Sequence, residues 1–220
     1  MERKRNRLQQ EPKRKGESQR DCSLHHDKRL FALMDKYLDT GRYGPRWLKE
    51  PRFAQIVEDA LFFYADRLYI LWAYVIMANH VHVFLTPKRE TNGQTRMFAS
   101  LTDAEGFRSA PHQTGISNQR QTEMSAPRNV LLRRITKGLK GYTAREINKL
   151  LDRTGQSFWQ DESFDHWARD ESGFYRVVDY IENNPVNAGL VNLPEEWRWS
   201  SAWFRKKHGI QGIQPLLKIE

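Results

Sequence analysis

Residues 77–87 read Met-Ala-Asn-His-Val-His-Val-Phe-Leu-Thr-Pro, a run of β-forming residues that holds two histidines. Alternate residues of a strand share one face of a sheet, so His80 and His82 point to one side and Val81, Val83 and Leu85 to the other. Neutral imidazole is a common ligand of divalent metals, and two imidazoles on one face are a starting point for a metal site. The spacing alone favours the alternative, a polar surface pair, because it lacks a longer ligand signature.

The flanking sequence predicts that this run is the second strand of an antiparallel hairpin. Residues 68–77 are aromatic and β-branched and predict the first strand, and Ala78-Asn79 leaves room only for a tight connection. Apolar residues at helical spacing predict helices from residue 28 to the stop at Gly41, at 51–64, at 130–152 and at 171–183. The last of these is expected to end before Asn184-Pro185. A short strand is expected at 164–168.

The composition is that of a basic, folded protein. The chain has 220 residues, of which 39% are hydrophobic, enough for one domain with extensions. Its formal net charge of +9 suits a polyanionic partner, above all nucleic acid, although an ordinary domain with a basic tail gives the same balance. Cys22 is the only cysteine, which excludes an intramolecular disulfide. With no apolar run of about 18 residues and no secretory signal, we expect a cytoplasmic protein with no membrane partner.

Composition also divides the chain into three expected parts. Residues 1–29 are basic, with few apolar side chains, and predict a disordered arm. Residues 30–204 predict the folded domain, interrupted at 88–129 by a flexible insertion rich in Thr, Ser, Gln and Gly. Residues 205–220 are expected to be a C-terminal tail. Just before it, Trp197, Trp199 and Trp203 are expected to cover a hydrophobic edge of the domain.

The helix expected at 130–152 carries further candidate residues. Tyr142 and Glu146 are four residues apart and share a helix face beside the apolar stripe. A tyrosine can act as a covalent nucleophile, and a carboxylate can bind a metal. In the plainer interpretation Tyr142 packs at the helix boundary and Glu146 forms an i,i+3 pair with a lysine, worth about 0.2–0.5 kcal/mol. The surrounding basic residues, which either bind phosphates or form a solvated face, are Lys137, Lys140, Arg145 and Lys149.

Five stretches of the chain stand out as motifs. The His-hydrophobe-His motif lies within residues 74–83, Tyr-Val-Ile-Met-Ala-Asn-His-Val-His-Val. There follow 141–145 (Gly-Tyr-Thr-Ala-Arg), 158–165 (Phe-Trp-Gln-Asp-Glu-Ser-Phe-Asp), 180–191 (Tyr-Ile-Glu-Asn-Asn-Pro-Val-Asn-Ala-Gly-Leu-Val) and 197–201 (Trp-Arg-Trp-Ser-Ser). In this order they resemble IS200-like single-tyrosine transposases of the HUH type, and most closely their REP-associated tyrosine transposase relatives. The resemblance covers residues 30–87 and 130–204, and the long C-terminal string is its most specific part.

This resemblance implies a ferredoxin-like α+β domain with helices on one face of an antiparallel sheet, the histidines on its open face and a Trp-rich helical extension at the C-terminus. It implies an enzyme that nicks single-stranded or hairpin DNA, links the 5′ phosphate to Tyr142 and transfers the strand. His80 and His82 match the metal-binding pair for Mg²⁺ or Mn²⁺. Glu146 stands at the third ligand position, where the family usually has an amide. The family acts as monomers and as homodimers.

The chain departs from that family in two further ways. Relatives usually open with a strand of the Phe-Val-Thr-Phe type that enters the middle of the sheet, and residues 1–29 contain no such segment. The stretch at 88–129 is also longer than the family's connector. Two rival functions therefore stand beside the transposase: a DNA hairpin-binding protein that has lost catalysis, and a metal-dependent phosphodiesterase that releases its product by water attack.

Overall fold

The computed structural model describes residues 45–88, 128–160, 168 and 170–218. Its strands are β1 (Tyr69–Ile76) and β2 (Val81–Pro87), and its helices are α1 (Pro51–Tyr64), α2 (Arg128–Leu150), α3 (Glu171–Asn187) and α4 (Ser201–His208). Short 3₁₀ helices lie at Trp47–Lys49 and Pro194–Glu196. The predicted α+β class with an antiparallel sheet is confirmed. Four predicted features lie outside these ranges: the arm at 1–29, the helix at 28–40, the insertion at 88–129 and the strand at 164–168. Of the insertion only Lys88, Arg128 and Asn129 are described, and of the strand only Ala168.

The predicted hairpin is present, with β1 antiparallel to β2. Tyr69 lies opposite Pro87 and Ile76 lies opposite Val81, and the turn is closed by the Met77 N–H, which donates to the His80 carbonyl at 2.9 Å. The register shifts by one residue between Leu71 and Ala73. Such a bulge changes which side chains face each way along the first part of β1.

Two hydrophobic cores lie on opposite faces of the hairpin. Tyr74 and Ile76 of β1 join α1 and α2 in the larger core, against which Val81, Val83 and Leu85 of β2 pack. Their neighbours Ala73, Val75 and Met77 face the other way and join Val178 and Ile181 of α3. Helices therefore lie on both faces of the described hairpin, whereas the resemblance implied one covered face and one open face.

The helices follow the apolar spacing of the sequence, except where α3 ends. Pro51 begins α1 at a position where a missing N–H costs nothing, and α2 covers the predicted 130–152 segment to within two residues at either end. The prediction that the helix beginning at residue 171 ends at residue 183 was wrong, because α3 runs through Pro185 to Asn187. Pro185 is buried and removes one backbone hydrogen bond, a loss that its packing offsets, and the Ala188 N–H still bonds to the Asn184 carbonyl at 2.9 Å.

The C-terminal segment packs along the outer edge of β1. The N–H of Ile76 donates to the Trp199 carbonyl at 2.8 Å, and the N–H of Leu216 donates to the Leu71 carbonyl at the same distance. Trp199 and Trp203 pack on the larger core and Trp197 on the smaller one, which confirms that these tryptophans cover hydrophobic edges. Backbone groups that an additional strand would satisfy are thus partly bonded by residues 199–216. No helix in the described ranges is both long enough and apolar enough to cross a bilayer.

Candidate active site at the histidine pair

The two histidines lie together at the start of β2. Their ring centroids are 4.9 Å apart and the rings are nearly perpendicular, at 83°. Val81 and Val83 pack into the larger core on the opposite face, so the predicted division of this strand into an imidazole face and an apolar face is confirmed. His80 is buried, and its Nδ1 bonds to the side-chain oxygen of Asn79 at 2.9 Å. Since an amide oxygen only accepts, that nitrogen carries the proton and Nε2 has the lone pair that a metal would need.

Helix α3 covers the histidine pair. The Asn184 side-chain nitrogen is 3.4 Å from Nε2 of His82, and the ring of Tyr180 is 5.9 Å from the ring of His82. Tyr180 and Asn184 are four residues apart, which puts them on one face of the helix. Asn184 is only 1% exposed, so its amide is held beside the imidazoles by packing. The surroundings of the pair therefore include one further aromatic ring and a buried amide.

Sequence reasoning missed Tyr180 and Asn184 as site residues, although both belong to the quoted stretch 180–191. The sequence predicts a helix that stops before Asn184, because a proline disfavours helical backbone at the residue that precedes it. Once the helix continues through the proline, the i,i+4 spacing of the two residues is the signal that identifies them.

The predicted nucleophile and carboxylate lie elsewhere in the chain. Both are on α2, which packs on α1 and on the valine face of β2 through the buried residues Ile135 and Ile147. The Glu146 carboxylate accepts a hydrogen bond from Lys149 at 2.8 Å, which is the plainer interpretation of this pair. In the described part of the chain, no group of three or more His, Cys, Asp or Glu side chains is close enough to hold a metal. Glu146 is thus not brought to His80 and His82 within one chain.

Tyr142 lies at the surface between α1 and α2. Its side chain is 36% exposed and close enough to Tyr64 to affect that residue electrostatically. Burial raises the pKa of Tyr64, Tyr142 raises it further, and the nearby Arg145 guanidinium opposes this effect. The phenol of Tyr142 is therefore within reach of a solvent-borne substrate, on the opposite side of the hairpin from His82.

The predicted phosphate-binding residues follow α2, and two of them are engaged. Lys137 is exposed, and Arg145 lies by the two tyrosines. Lys140 donates to the Gln160 carbonyl at 2.7 Å, and Lys149 pairs with Glu146. An exposed pair of that kind is worth about 0–1 kcal/mol, so a phosphate could displace it at little cost.

Partial similarities connect the chain with two proteins of Haemophilus influenzae. One, described only as an uncharacterized protein, is 25% identical over 113 residues, 51% of this chain and 52% of that protein. The other bears the name "Putative REP-associated tyrosine transposase" and is 34% identical over 58 residues, 26% of this chain and 33% of that protein. The chain thus spans about half the length of the first and a third of the second. No family model and no solved structure matches it. About a quarter of the chain is similar to a protein named as a transposase.

Proposed function

We propose that this chain acts in the cytoplasm on single-stranded or hairpin DNA as a single-tyrosine transposase, cutting and rejoining one strand through a covalent bond to Tyr142. The observation that carries the proposal is the contact of His80 with His82, whose rings are 4.9 Å apart beside a buried amide. The similarity of 58 residues to a protein named as a REP-associated tyrosine transposase supports the class of activity. The net charge of +9 supports a DNA partner.

His80 and His82 would hold one divalent ion, Mg²⁺ or Mn²⁺, together with the amide of Asn184. Two imidazole nitrogens and an amide oxygen are donors that Mn²⁺ accepts, whereas Mg²⁺ prefers oxygen ligands. The Asn184 amide would have to turn over to present its oxygen to the ion, because its nitrogen is the atom that faces His82. When bound there, the ion would withdraw electron density from an oxygen of the scissile phosphate. Within one chain, Asn184 takes the role first expected of Glu146, because α2 lies on the valine face of the hairpin and Glu146 bonds there to Lys149 of the same helix.

The phenol oxygen of Tyr142 would attack the phosphorus. A bond between phosphorus and the tyrosine oxygen forms as the bond between phosphorus and the 3′ oxygen of the preceding nucleotide breaks. The 5′ phosphate then remains on the protein, the phenol has lost one proton and the departing 3′ oxygen has gained one. Rejoining is attack of a 3′ hydroxyl on the phosphotyrosine, so neither direction requires ATP.

We propose that Tyr142 meets the histidines of a second copy of the chain. Within one chain, α2 would have to leave α1 and expose Ile135 and Ile147, at about 1.5–3 kcal/mol for each side chain. A homodimer in which each copy supplies the tyrosine to the other leaves both isoleucines buried. The basic residues that would hold flanking phosphates then enter with the tyrosine, on the same helix: Lys137, Lys140, Arg145 and Lys149.

The test is a nicking assay with end-labelled hairpin DNA and Mn²⁺, read as a labelled covalent adduct on a denaturing protein gel. Wild type forms the adduct, whereas Tyr142→Phe and His80→Ala do not. Tyr175→Phe is the matched control, because Tyr175 is exposed on α3 and does not contact the histidines in the described structure. A mixture of Tyr142→Phe with His80→Ala restores up to about a quarter of the adduct if the site is shared between copies. No recovery in the mixture would refute the shared site.

The role of Asn184 is tested through Mn²⁺ binding measured by titration calorimetry. Asn184→Ala is expected to weaken binding roughly tenfold to a hundredfold, the range seen when groups that support a metal site are removed. Asn184→Asp keeps an oxygen ligand and is expected to restore the affinity for Mn²⁺. Asn183→Ala is the control, since Asn183 bonds within its own helix to Asp179. Equal Mn²⁺ affinity in wild type and Asn184→Ala would exclude the amide from the site.

A DNA-binding protein without catalysis is the second candidate, and one observation favours it. The described chain keeps a basic α2 yet places Tyr142 and Glu146 away from the histidines. This alternative predicts salt-sensitive retention of hairpin DNA with no adduct under any metal. A water-dependent phosphodiesterase predicts instead that cleavage survives in Tyr142→Phe.

A further inference from the structure

A groove lined by aromatic side chains lies beside α2, away from the histidine pair. It has a volume of about 380 Å³ and is lined by Pro45 and Trp47 on one side and by Arg153 with residues 157–160 on the other. The activity proposed above does not use these residues. Their chemistry is that of a site for a flat, anionic ligand.

The walls of the groove are aromatic and held in place. The rings of Trp47 and Phe158 are stacked, with centroids 5.1 Å apart, and Trp159 meets Phe158 edge-on at 5.0 Å. The indole N–H of Trp159 donates to the hydroxyl of Thr143 at 2.9 Å, which ties the wall to α2. Trp47 and Phe158 each cover one face of the other, so a base in the groove would pack against the sides of the rings that line it. Contact of bases with aromatic side chains of this kind needs no particular sequence.

Arg153 supplies a positive charge to the same groove. Its guanidinium carbon is 4.2 Å from the centroid of the Trp47 ring, and its Nε donates to Gln156 at 2.9 Å. Its Nη1 is shielded from solvent and has no hydrogen-bond partner among the described residues. An arginine held flat against an indole presents its remaining donors at the edge of the ring, which suits a phosphate or a carbonyl of a base stacked alongside.

The groove is joined to the candidate active site through the backbone. The N–H of Leu48, next to Trp47, donates at 3.1 Å to the carbonyl of Ala78 in the turn that leads to His80. At the other side, the amino group of Lys140 on the basic helix α2 bonds to the Gln160 carbonyl of the groove. A single strand of DNA that followed the basic helix α2 would therefore pass the groove.

We propose that this groove binds one nucleotide of the single-stranded DNA substrate, with the base against the aromatic wall that includes Trp47 and Phe158 and an adjoining phosphate on Arg153. The inference rests on the function proposed above and adds to it a subsite that holds a nucleotide away from the cut. It requires an unpaired base, since a base inside a duplex has no free face to stack.

The test uses an oligonucleotide carrying 5-iododeoxyuridine at one position at a time, photocrosslinked to the full chain and mapped by mass spectrometry. Crosslinks are expected at Trp47 or within residues 157–160 for one position of the oligonucleotide. At that position an abasic nucleotide is expected to weaken wild-type binding about fivefold to a hundredfold. Trp47→Leu is expected to bind the intact and the abasic oligonucleotide with equal affinity. A merely structural role of the indole would not abolish the difference between them. The affinity of Arg153→Gln for the intact oligonucleotide is compared with that of Arg176→Gln, which loses the same charge at an exposed residue of α3.

The outcomes separate this inference from the proposed function. The nucleotide subsite alone is overturned if DNA is bound and joined to Tyr142 but the crosslinks lie elsewhere. It is also overturned if the abasic nucleotide weakens binding as much in Trp47→Leu as in wild type. Binding of the free nucleotide dAMP without binding of any oligonucleotide overturns both. Loss of the adduct in Tyr142→Phe, with crosslinks and the abasic penalty intact, leaves the subsite standing on its own readout.

Discussion

The carboxylate of Glu58 joins α1, β1 and the C-terminal segment, and its neutralisation tests how the domain is held together. One oxygen accepts from the Tyr74 hydroxyl at 2.7 Å and from Arg198 at 2.9 Å, and the other accepts from Arg198 at 3.1 Å. Glu58 is 6% exposed and Tyr74 is fully buried, whereas the Arg198 side chain is 37% exposed. Glu58→Gln removes the charge from this network and leaves the shape of the side chain unchanged.

The magnitude comes mainly from the contacts with Tyr74 and Arg198, because the further bond that Gln55 donates to Glu58 is long, at 3.3 Å. A hydrogen bond to a charged group contributes about 1.5–3 kcal/mol when it is buried, which applies to the Tyr74 hydroxyl. The Arg198 contribution is reduced to about 1 kcal/mol or less, because water reaches a third of its side chain. Glutamine still accepts one bond but points an N–H₂ group at another donor. We therefore expect Glu58→Gln to lower the free energy of unfolding by about 2 kcal/mol.

The assay is urea unfolding followed by circular dichroism, with the slope of the transition compared between variants. An unchanged slope with a lower midpoint identifies a loss of stability in the folded state. Glu50→Gln is the control, because Glu50 is exposed and its side chain makes no capping bond to α1. A midpoint for Glu58→Gln equal to that of Glu50→Gln would refute the reasoning. Combining Glu58→Gln with Tyr74→Phe should cost about 1 kcal/mol less than the sum of the two changes, since they share one bond.

Two further predictions concern the core. Leu216 is fully buried, whereas Leu217 is 47% exposed. In urea unfolding, Leu216→Ala should lower the free energy of unfolding by about 2–4 kcal/mol and Leu217→Ala by less than about 0.5 kcal/mol. Equal effects of the two changes would mean that the C-terminal segment does not pack on β1. Burial raises the pKa of Tyr69, and burial together with Glu58 raises that of Tyr74, above the usual value of 10.0. The folded state therefore keeps these protons longer, so stability should be complete below about pH 10 and fall above it, as urea midpoints and tyrosinate absorbance would report; constant midpoints through that range would contradict it.

The histidine face and the helices α1 and α2 were predictable from the sequence because they depend on local periodicity. A repeat of two residues divides His80 and His82 from Val81 whatever packs on the strand, and a repeat near 3.6 identifies a helix before its partner is known. The same holds for the pair of Glu146 with Lys149, which needs only three residues of helix. Metal binding by the histidines and catalysis by Tyr142 stay predictions.

The tertiary structure decided which helix meets the histidines. Tyr142 and Glu146 looked suitable on α2, yet α2 packs on the valine face and α3 brings Asn184 to the imidazoles. Spacing within a segment cannot say on which face of a sheet the segment lies, because that depends on the packing of distant apolar side chains. For the same reason the sequence did not predict the helix through Pro185 or the hydrogen bond from Leu216 to Leu71. Pro185 removes a backbone hydrogen bond from α3, and the Leu216 N–H satisfies the Leu71 carbonyl at the edge of β1. In both cases the packing of residues distant in the sequence decides the outcome.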